Sequence, residues 1–488
     1  MTSWGHVRLL RRAYLLAGVV LALLVGASAA AASDAQHVGV LPDGGVWEAD
    51  LPSNWNGTLL LFSHGYGPTT PQDAPDSTTQ QDLIDAGYAL AGSSYDPKGS
   101  LWALNSAVRD QFQTLTAVKS TVLPSPPRRV IAIGQSMGGL ISALEDEGSN
   151  GRLDGVLTTC GLVAGGVNLE NYQLNGSWAI SALLAPSAHI QLVGYQTPAQ
   201  AAVAAEELQQ AAQSAQNTPQ GRARLALASA LYNVPTWTTT NLLNQNTNPL
   251  VPPASQPAAP TDYNEQELEQ YYTQYAPGSI VLAFIQTGRA SIEQAVGGQP
   301  AWNADVDYAK LLASSPYKAE VSALYERAGL DLDADLGTLT KGASIKAELP
   351  ALRNLNATSV ATGRLQVPEL AIHTIADQLI PVQQESYYAT KVAAAGSSHL
   401  LRQAYVGRQG HCNFTPAEII AALHALEHRL TTGQWGDATS AKSLQAAALS
   451  LNEGGAAYVP YTPPPLTTTN GPFNPKTQGY TPASILGF

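Results

Sequence analysis

Short apolar runs alternate with helical patterns along this chain, and this alternation restricts the possible folds more than any other feature. Each run is predicted to be a buried strand because it is short, mostly apolar and followed by a turn. Strands that alternate with helices form a mainly parallel sheet with helices on both faces. The sequence therefore predicts the α/β fold class. The predicted strands are residues 45–50, 58–63, 88–93, 129–133, 155–159, 370–374 and 401–406.

The alternation is interrupted by a long stretch of different composition. Residues 166–365 are rich in Ala, Gln, Asn and Thr and contain several helical patches. Because the strand pattern resumes after them, they are predicted to form a large, mostly helical cap inserted into one domain. The predicted core is then divided into residues 33–165 and residues 366–435. Residues 436–488 are rich in Pro and Thr and are predicted to be an irregular tail.

The N-terminal residues 1–32 have the pattern of a signal peptide. Arg8, Arg11 and Arg12 precede an apolar run at residues 15–25, and small residues follow it. A membrane anchor is the alternative, but this run is shorter than the roughly 20 residues that a membrane-spanning helix needs. We therefore expect a secreted protein, extracellular or periplasmic, without stable membrane insertion after signal cleavage. The export route, general secretory or twin-arginine, stays open.

Composition and charge narrow the classes of partner. The chain has 488 residues, of which 44% are hydrophobic and 13% are charged, and its formal net charge is −12. This composition predicts a globular protein with a full core. Binding to nucleic acid is not expected, because phosphate contacts require clustered Lys and Arg that the sequence lacks. Neither a metal-ligand pattern nor a phosphate or dinucleotide loop is present, so we expect no cofactor and no metal. The oligomeric state stays open.

One pentapeptide, Gly134-Gln135-Ser136-Met137-Gly138, connects a predicted strand to a predicted helix. It matches the Gly-x-Ser-x-Gly pattern, in which a serine lies at a sharp strand-to-helix turn and side chains at the glycine positions would clash. An ordinary turn serine is the alternative, because the bare motif arises often by chance. The flanking strand and helix favour Ser136 as a nucleophile.

A serine nucleophile needs a base, and the base needs an acid to orient it. Of the nine histidines, His411 is the best candidate because it lies in a loop between the last predicted strand and a helix. His373 lies inside a predicted strand and is expected to have no catalytic role. Asp377 follows a predicted strand, and it gives the chain order Ser, Asp, His that serine hydrolases with this motif share. A helix-capping aspartate is the alternative for Asp377.

The oxyanion that forms during acyl transfer also needs hydrogen-bond donors. The backbone N–H of Met137, at the start of the helix after Ser136, is the first predicted donor. The second is predicted to be the N–H of Tyr66, in the loop His64-Gly65-Tyr66-Gly67 after a buried strand. A purely structural role for this loop is the alternative.

With these motifs the chain resembles the α/β-hydrolase superfamily over residues 38–165 and 366–432. More narrowly, it is similar to exported bacterial hydrolases, some of them prolyl-oligopeptidase-like, and to feruloyl esterases and tannases. The resemblance implies an α/β-hydrolase fold and an acyl-enzyme mechanism on a small-molecule or polymeric ester. The alternatives are a serine peptidase, either prolyl-oligopeptidase-like or an aminopeptidase, an acyltransferase, and a binding protein on an inactive scaffold.

The same resemblance bears on the two cysteines. Feruloyl esterases and tannases carry a cysteine beside the catalytic histidine that is bonded to one beside the serine. This chain has Gln135 before Ser136, which puts a tannase assignment in doubt. Cys160 ends a predicted strand and Cys412 adjoins His411, so a disulfide between them is expected if the strand ends converge on the site. Two separate buried thiols are the alternative.

Substrate selection is expected to depend on the predicted cap. Its aromatic residues are candidates for the lining of an acyl pocket, and core packing is the alternative. These candidates are Trp237, Tyr271, Tyr272, Phe284 and Trp302.

Overall fold

The computed structural model describes residues 35–67, 69–95, 101–237 and 259–469. The predicted signal peptide lies outside the described residues, as do residues 470–488 of the predicted tail. The strands, in chain order, are β1 (Ala35–Val40), β2 (Val46–Leu51), β3 (Thr58–Ser63), β4 (Ala89–Ser93), β5 (Arg129–Gln135), β6 (Gly155–Thr159), β7 (Glu369–Ala376), β8 (Leu401–Gln409) and β9 (Tyr458–Val459).

All of these strands belong to one mixed sheet with the order β1-β2-β4-β3-β5-β6-β7-β8-β9. The pairs from β4 through β8 are parallel. The pairs that involve β1, β2 or β9 are antiparallel, and they lie at the two edges. Every residue of β3, β4 and β6 is buried, as expected for strands covered on both faces. The predicted fold class is confirmed.

Fifteen α-helices surround the sheet in the described part of the chain. In chain order they are α1 (Ser77–Asp85), α2 (Ala107–Thr121), α3 (Met137–Glu147), α4 (Gly166–Leu184), α5 (Pro198–Ala215), α6 (Pro219–Tyr232), α7 (Tyr263–Gln274), α8 (Val281–Val296), α9 (Tyr308–Ser314), α10 (Lys318–Ala328), α11 (Leu332–Gly342), α12 (Leu349–Thr358), α13 (Gln383–Ala394), α14 (Pro416–Thr432) and α15 (Ala441–Leu451). None of the helices in the described ranges combines the length and the apolar character that a membrane crossing requires.

Alternating side chains of the central strands pack against helices on opposite faces. Leu60 and Phe62 of β3 belong to a core that includes Leu83 of α1 and residues of α14. Leu59 and Leu61 belong to a different core, with residues of α2. This period of two is the geometry of an extended strand, and it explains why the central strands are apolar throughout.

Helices α4 to α12 all lie between β6 and β7, which are neighbours in the sheet. These helices therefore form an insertion between two adjacent core strands, and we call them the inserted helices. They have a hydrophobic core of their own, which includes Leu174, Leu208 and Leu227. A buried ion pair between Arg289 of α8 and Glu170 of α4 also joins two of them, with 2.6 Å between Nη1 and Oε2.

The structure corrects the prediction of an irregular tail after residue 436. This segment contains α15, which Ser440 caps and which buries Leu444 and Ala448. It also contains β9, which pairs antiparallel with β8. The many Pro and Thr residues of the tail lie after the helix, so composition averaged over the whole segment hid a short amphipathic helix. The C-terminal part is thus joined to the core sheet.

Candidate active site

Ser136 lies at the turn between β5 and α3, at the carboxyl end of a central strand. Its backbone angles, φ 59° and ψ −119°, are strained for a residue with a side chain. A Cβ atom at Gly134 would overlap the carbonyl oxygen of Gly138, and one at Gly138 would overlap that of Ser63. Both positions therefore require glycine because other backbone segments approach them closely. This agrees with the clash that was expected from the sequence motif.

The structure brings the three predicted residues together. The Nε2 atom of His411 lies 2.8 Å from the Oγ atom of Ser136. The Nδ1 atom of the same ring lies 2.7 Å from Oδ2 of Asp377. Asp377 follows β7 and His411 follows β8, so the ends of three parallel strands place these side chains in contact. The ring can therefore accept a proton at Nε2 while Nδ1 donates to the carboxylate.

Asp377 is completely buried, but several hydrogen-bond donors contact its carboxylate. Its Oδ1 atom accepts hydrogen bonds from the N–H groups of Leu379 and Ile380, at 2.9 and 2.8 Å. Burial alone would raise the pKa of Asp377, but the charge of His411 and the hydrogen bonds from His373 and His411 hold it well below its usual range. The carboxylate therefore stays ionised, and it can stabilise a positive charge on His411.

The loop that carries His411 is fixed at two points. A disulfide joins Cys412, next to His411, to Cys160 at the end of β6, with 5.3 Å between the Cα atoms. The Oγ1 atom of Thr374 donates a hydrogen bond to the carbonyl oxygen of Gly410 at 2.8 Å. The histidine is therefore held against β6 and β7. This disulfide is the pairing expected from the sequence.

The same disulfide removes a possible set of metal ligands. In the described part of the chain, the one group of three potential ligand side chains that lie close together is Cys160, His411 and Cys412. Because both sulfur atoms are used in the disulfide, neither is a thiolate that could bind an ion.

The loop after β3 borders the nucleophile. A side chain at Gly65 would lie 3.3 Å from Cβ of Ser136, and Tyr66 lines the same cavity as Ser136 and Met137. His64 is buried, stacks on Tyr95 at 4.1 Å and lies 2.7 Å from the carbonyl oxygen of Gly65 through Nδ1. Burial lowers the pKa of His64 to about 4, so the ring is neutral and Nδ1–H donates to that oxygen. His64 thus helps to shape the loop that was predicted to supply the Tyr66 donor.

An apolar cavity opens beside Ser136, and about 420 Å³ of space in and in front of it, open solvent included, is free of protein atoms. Of the five cap aromatics proposed from the sequence, Phe284 lines this cavity and the other four do not. Trp302 is buried elsewhere and Tyr272 is exposed. The cavity is lined by Tyr66, Trp102, Ser136, Met137, Leu162, Leu169, Gln173, Phe284, Ile285, Gly288, Ile292, Leu379 and Ile380.

His373 is a site residue that the sequence analysis missed. Its Nδ1 atom lies 3.0 Å from Oε1 of Glu385, and its Nε2 atom lies 2.9 Å from the carbonyl oxygen of Ile380 and 3.6 Å from Oδ2 of Asp377. Each ring nitrogen faces an oxygen acceptor, so both carry a proton and the ring is positively charged. Burial alone would lower the pKa of His373, but the hydrogen bonds and charges of Asp377 and Glu385 raise it to about 10.

One local signal could have identified His373. It stands on β7 four residues before Asp377, which directly follows this strand, so both side chains are near the carboxyl end of β7. Its contact with Glu385 depends on how α13 packs, and no short motif encodes that.

Comparisons with known proteins give one similar sequence and several distantly similar structures. No known family model matches the chain. An o-phthalyl amidase from Xanthobacter agilis is 29% identical over 444 residues, which cover 86% of this chain and 92% of that protein. An esterase from Aspergillus oryzae is 15% identical with a TM-score of 0.40, covering 80% of this chain and 77% of that one. An acylaminoacyl peptidase from Pyrococcus horikoshii is 8% identical with a TM-score of 0.33, covering 78% and 37%.

Proposed function

We propose that this chain is a secreted serine hydrolase of the α/β-hydrolase superfamily that cleaves carboxylic esters. Ser136 is the nucleophile, His411 the general base and Asp377 the acid that orients it. The observation that carries the proposal is the continuous path of contacts from Oγ of Ser136 through both nitrogens of His411 to Asp377, at 2.8 and 2.7 Å. Such a path allows a proton to leave the hydroxyl as Oγ attacks.

The reaction proceeds in two halves. Oγ of Ser136 bonds to the substrate carbonyl carbon while its proton moves to Nε2 of His411, and Asp377 stabilises the resulting imidazolium. The backbone N–H groups of Met137 and Tyr66 donate to the oxyanion. His411 then gives the proton to the departing alkoxide, which leaves an acyl group on Ser136. Water, deprotonated by His411, attacks this acyl group, and His411 then returns the proton to Oγ of Ser136 as the bond to the acyl group breaks and the acid is released.

Amide hydrolysis is a second candidate, favoured by one observation. The chain is 29% identical to an o-phthalyl amidase along most of both sequences. The same residues would form the same acyl-enzyme, and the leaving group would be an amine instead of an alkoxide. His411 must protonate that amine before it leaves, so amides require the proton transfer more strictly than activated esters do.

A panel of p-nitrophenyl esters and acyl anilides tests both candidates with wild-type protein and Ser136→Ala. We expect ester turnover in wild type and a loss of about 10⁴-fold to 10⁶-fold in kcat for Ser136→Ala, because the nucleophile is gone. Turnover of anilides by wild type would place amides among the substrates.

Ser120→Ala is the matched control, because Ser120 is an exposed serine of α2, away from the site. A fluorophosphonate probe should label wild type and Ser120→Ala but not Ser136→Ala. Undiminished ester turnover in Ser136→Ala, or labelling of a different serine, would refute the assignment.

A further inference from the structure

Gly288 lies in the middle of α8, and no described contact explains why this position is a glycine. A Cβ atom added at this position would have no described atom within 4 Å, and the residue has no left-handed backbone conformation that would call for glycine. Glycine in a helix interior is less stable than alanine. Gly288 also lines the cavity beside Ser136.

The cavity lies on the acyl side of the scissile bond. The leaving group must receive its proton from Nε2 of His411, so it lies toward that ring. His411 is not among the residues that line the cavity, whereas Ser136 and the proposed oxyanion residues Met137 and Tyr66 are. A group in this cavity is therefore attached to the carbonyl carbon and not to the leaving oxygen.

The lining also restricts the chemistry of that group. Apart from Ser136, the polar side chains among the described lining residues are those of Gln173 and Tyr66, and neither carries a charge. None of the described lining residues is a Lys, Arg or His, so a carboxylate placed against them would lose its hydration without gaining a cation from them. Three aromatic side chains, those of Tyr66, Trp102 and Phe284, are part of the wall, and Tyr66 contacts Phe284 edge-to-face at 5.3 Å. Such walls favour aromatic rings.

We propose that this cavity takes bulky, uncharged aromatic acyl groups and that Gly288 sets the largest acyl group that fits. The inference rests on the proposed function, because it assigns a substrate class to the same site. Gly288 is then a specificity-determining residue: the space that a side chain would fill is occupied by the substrate.

The test varies the acyl group while the p-nitrophenyl leaving group stays constant. Acetate, benzoate, 2-naphthoate and 4-carboxybenzoate esters are compared for wild type, Gly288→Ala and Gly288→Leu. For Gly288→Leu we expect the ratio of kcat/KM on 2-naphthoate to kcat/KM on acetate to fall about 100-fold, with a smaller fall for Gly288→Ala. Wild type should prefer benzoate to 4-carboxybenzoate by a similar factor, because the charge is not compensated.

Gly337→Ala is the matched control. Gly337 also lies inside a helix, α11, with no described atom within 4 Å of an added Cβ, and it does not line the cavity. Both alanine variants should raise Tm, and Gly288→Ala alone should change the acyl preference.

Two failures can be told apart. If wild type shows no Ser136-dependent turnover of any of the four esters, the proposed function and this inference are both refuted. If ester turnover depends on Ser136 but the Gly288 variants keep the wild-type acyl preference, the inference alone is refuted. It is also refuted if 4-carboxybenzoate is the better substrate, or if the variants discriminate among alcohol groups instead.

Discussion

Replacing His373 with glutamine should move the acidic limb of the pH profile of kcat/KM to higher pH. His373 and His411 approach the same oxygen of one carboxylate, Oδ2 of Asp377, at 3.6 and 2.7 Å. The positive charge of His373 disfavours a second positive charge on His411. When that charge is removed, His411 keeps its proton to a higher pH, and a protonated His411 cannot act as a base.

The size of the movement follows from the geometry. Because both rings contact Oδ2 of Asp377 at 3.6 and 2.7 Å, the contacting nitrogens are at most about 6 Å apart. At that distance an effective dielectric constant of about 20 gives an interaction of about 3 kcal/mol, equivalent to about two pH units. The carboxylate of Glu385, 3.0 Å from the other nitrogen of His373, is present in both proteins, so its charge does not change this difference. We therefore expect a movement of about two pH units.

The assay measures kcat/KM on a p-nitrophenyl ester from about pH 4 to about pH 9. His373→Gln is compared with the double variant His373→Gln/Glu385→Gln, which removes one positive and one negative charge and should return the limb toward its wild-type position. Circular dichroism shows whether each variant is folded. A folded His373→Gln protein with the wild-type limb would refute the reasoning, even if its kcat were lower, because a purely structural role lowers the rate without moving the limb.

Two further predictions concern stability. Cys160→Ser/Cys412→Ser should lower the free energy of unfolding by about 3 to 5 kcal/mol, because the disulfide joins residues 252 apart in sequence; equal denaturation midpoints with and without it would contradict this. Unfolding free energy should also fall as pH rises from about 4 to about 8, since burial raises the pKa of Glu145 and Glu320 to about 8 and these groups titrate near 4 when unfolded. Urea midpoints at about pH 5 and about pH 8 check the sign, and Glu145→Gln should reduce the slope.

The central strands were predictable because burial on two faces makes each of them a short continuous apolar run. Thr58–Ser63 and Gly155–Thr159 have the predicted bounds. The edge strand β1 was not predicted, because its side chains are exposed or half-buried and it lacks a clear apolar pattern. Strand β9 was not predicted either, because it has only two residues. Edge strands are identified by their pairing, and pairing partners are distant in sequence.

The residues of the candidate site also differ in whether the sequence could predict them. Ser136 was predicted from a five-residue motif, although only the steric reason for Gly134 lies within that motif and the one for Gly138 comes from Ser63 of β3. Asp377 and His411 followed from their places after strands of a parallel sheet. The contact of His373 with Glu385 was not predictable, because it depends on the position of α13 against β7. A buried histidine in a strand is usually structural, and only the two carboxylates around this one show that it is charged.

Chemistry and selectivity have separate origins in this molecule. The proposed catalytic side chains follow β5, β7 and β8, and the register of parallel strands fixes their positions relative to one another. Much of the cavity wall comes from α4 and α8, which belong to the inserted helices. A substitution at Gly288 can therefore change which acyl group fits without moving the contact between Ser136 and His411. In the proposed assignment, the sequence motifs of the core indicate the reaction, whereas substrate choice depends on helix packing that those motifs do not describe.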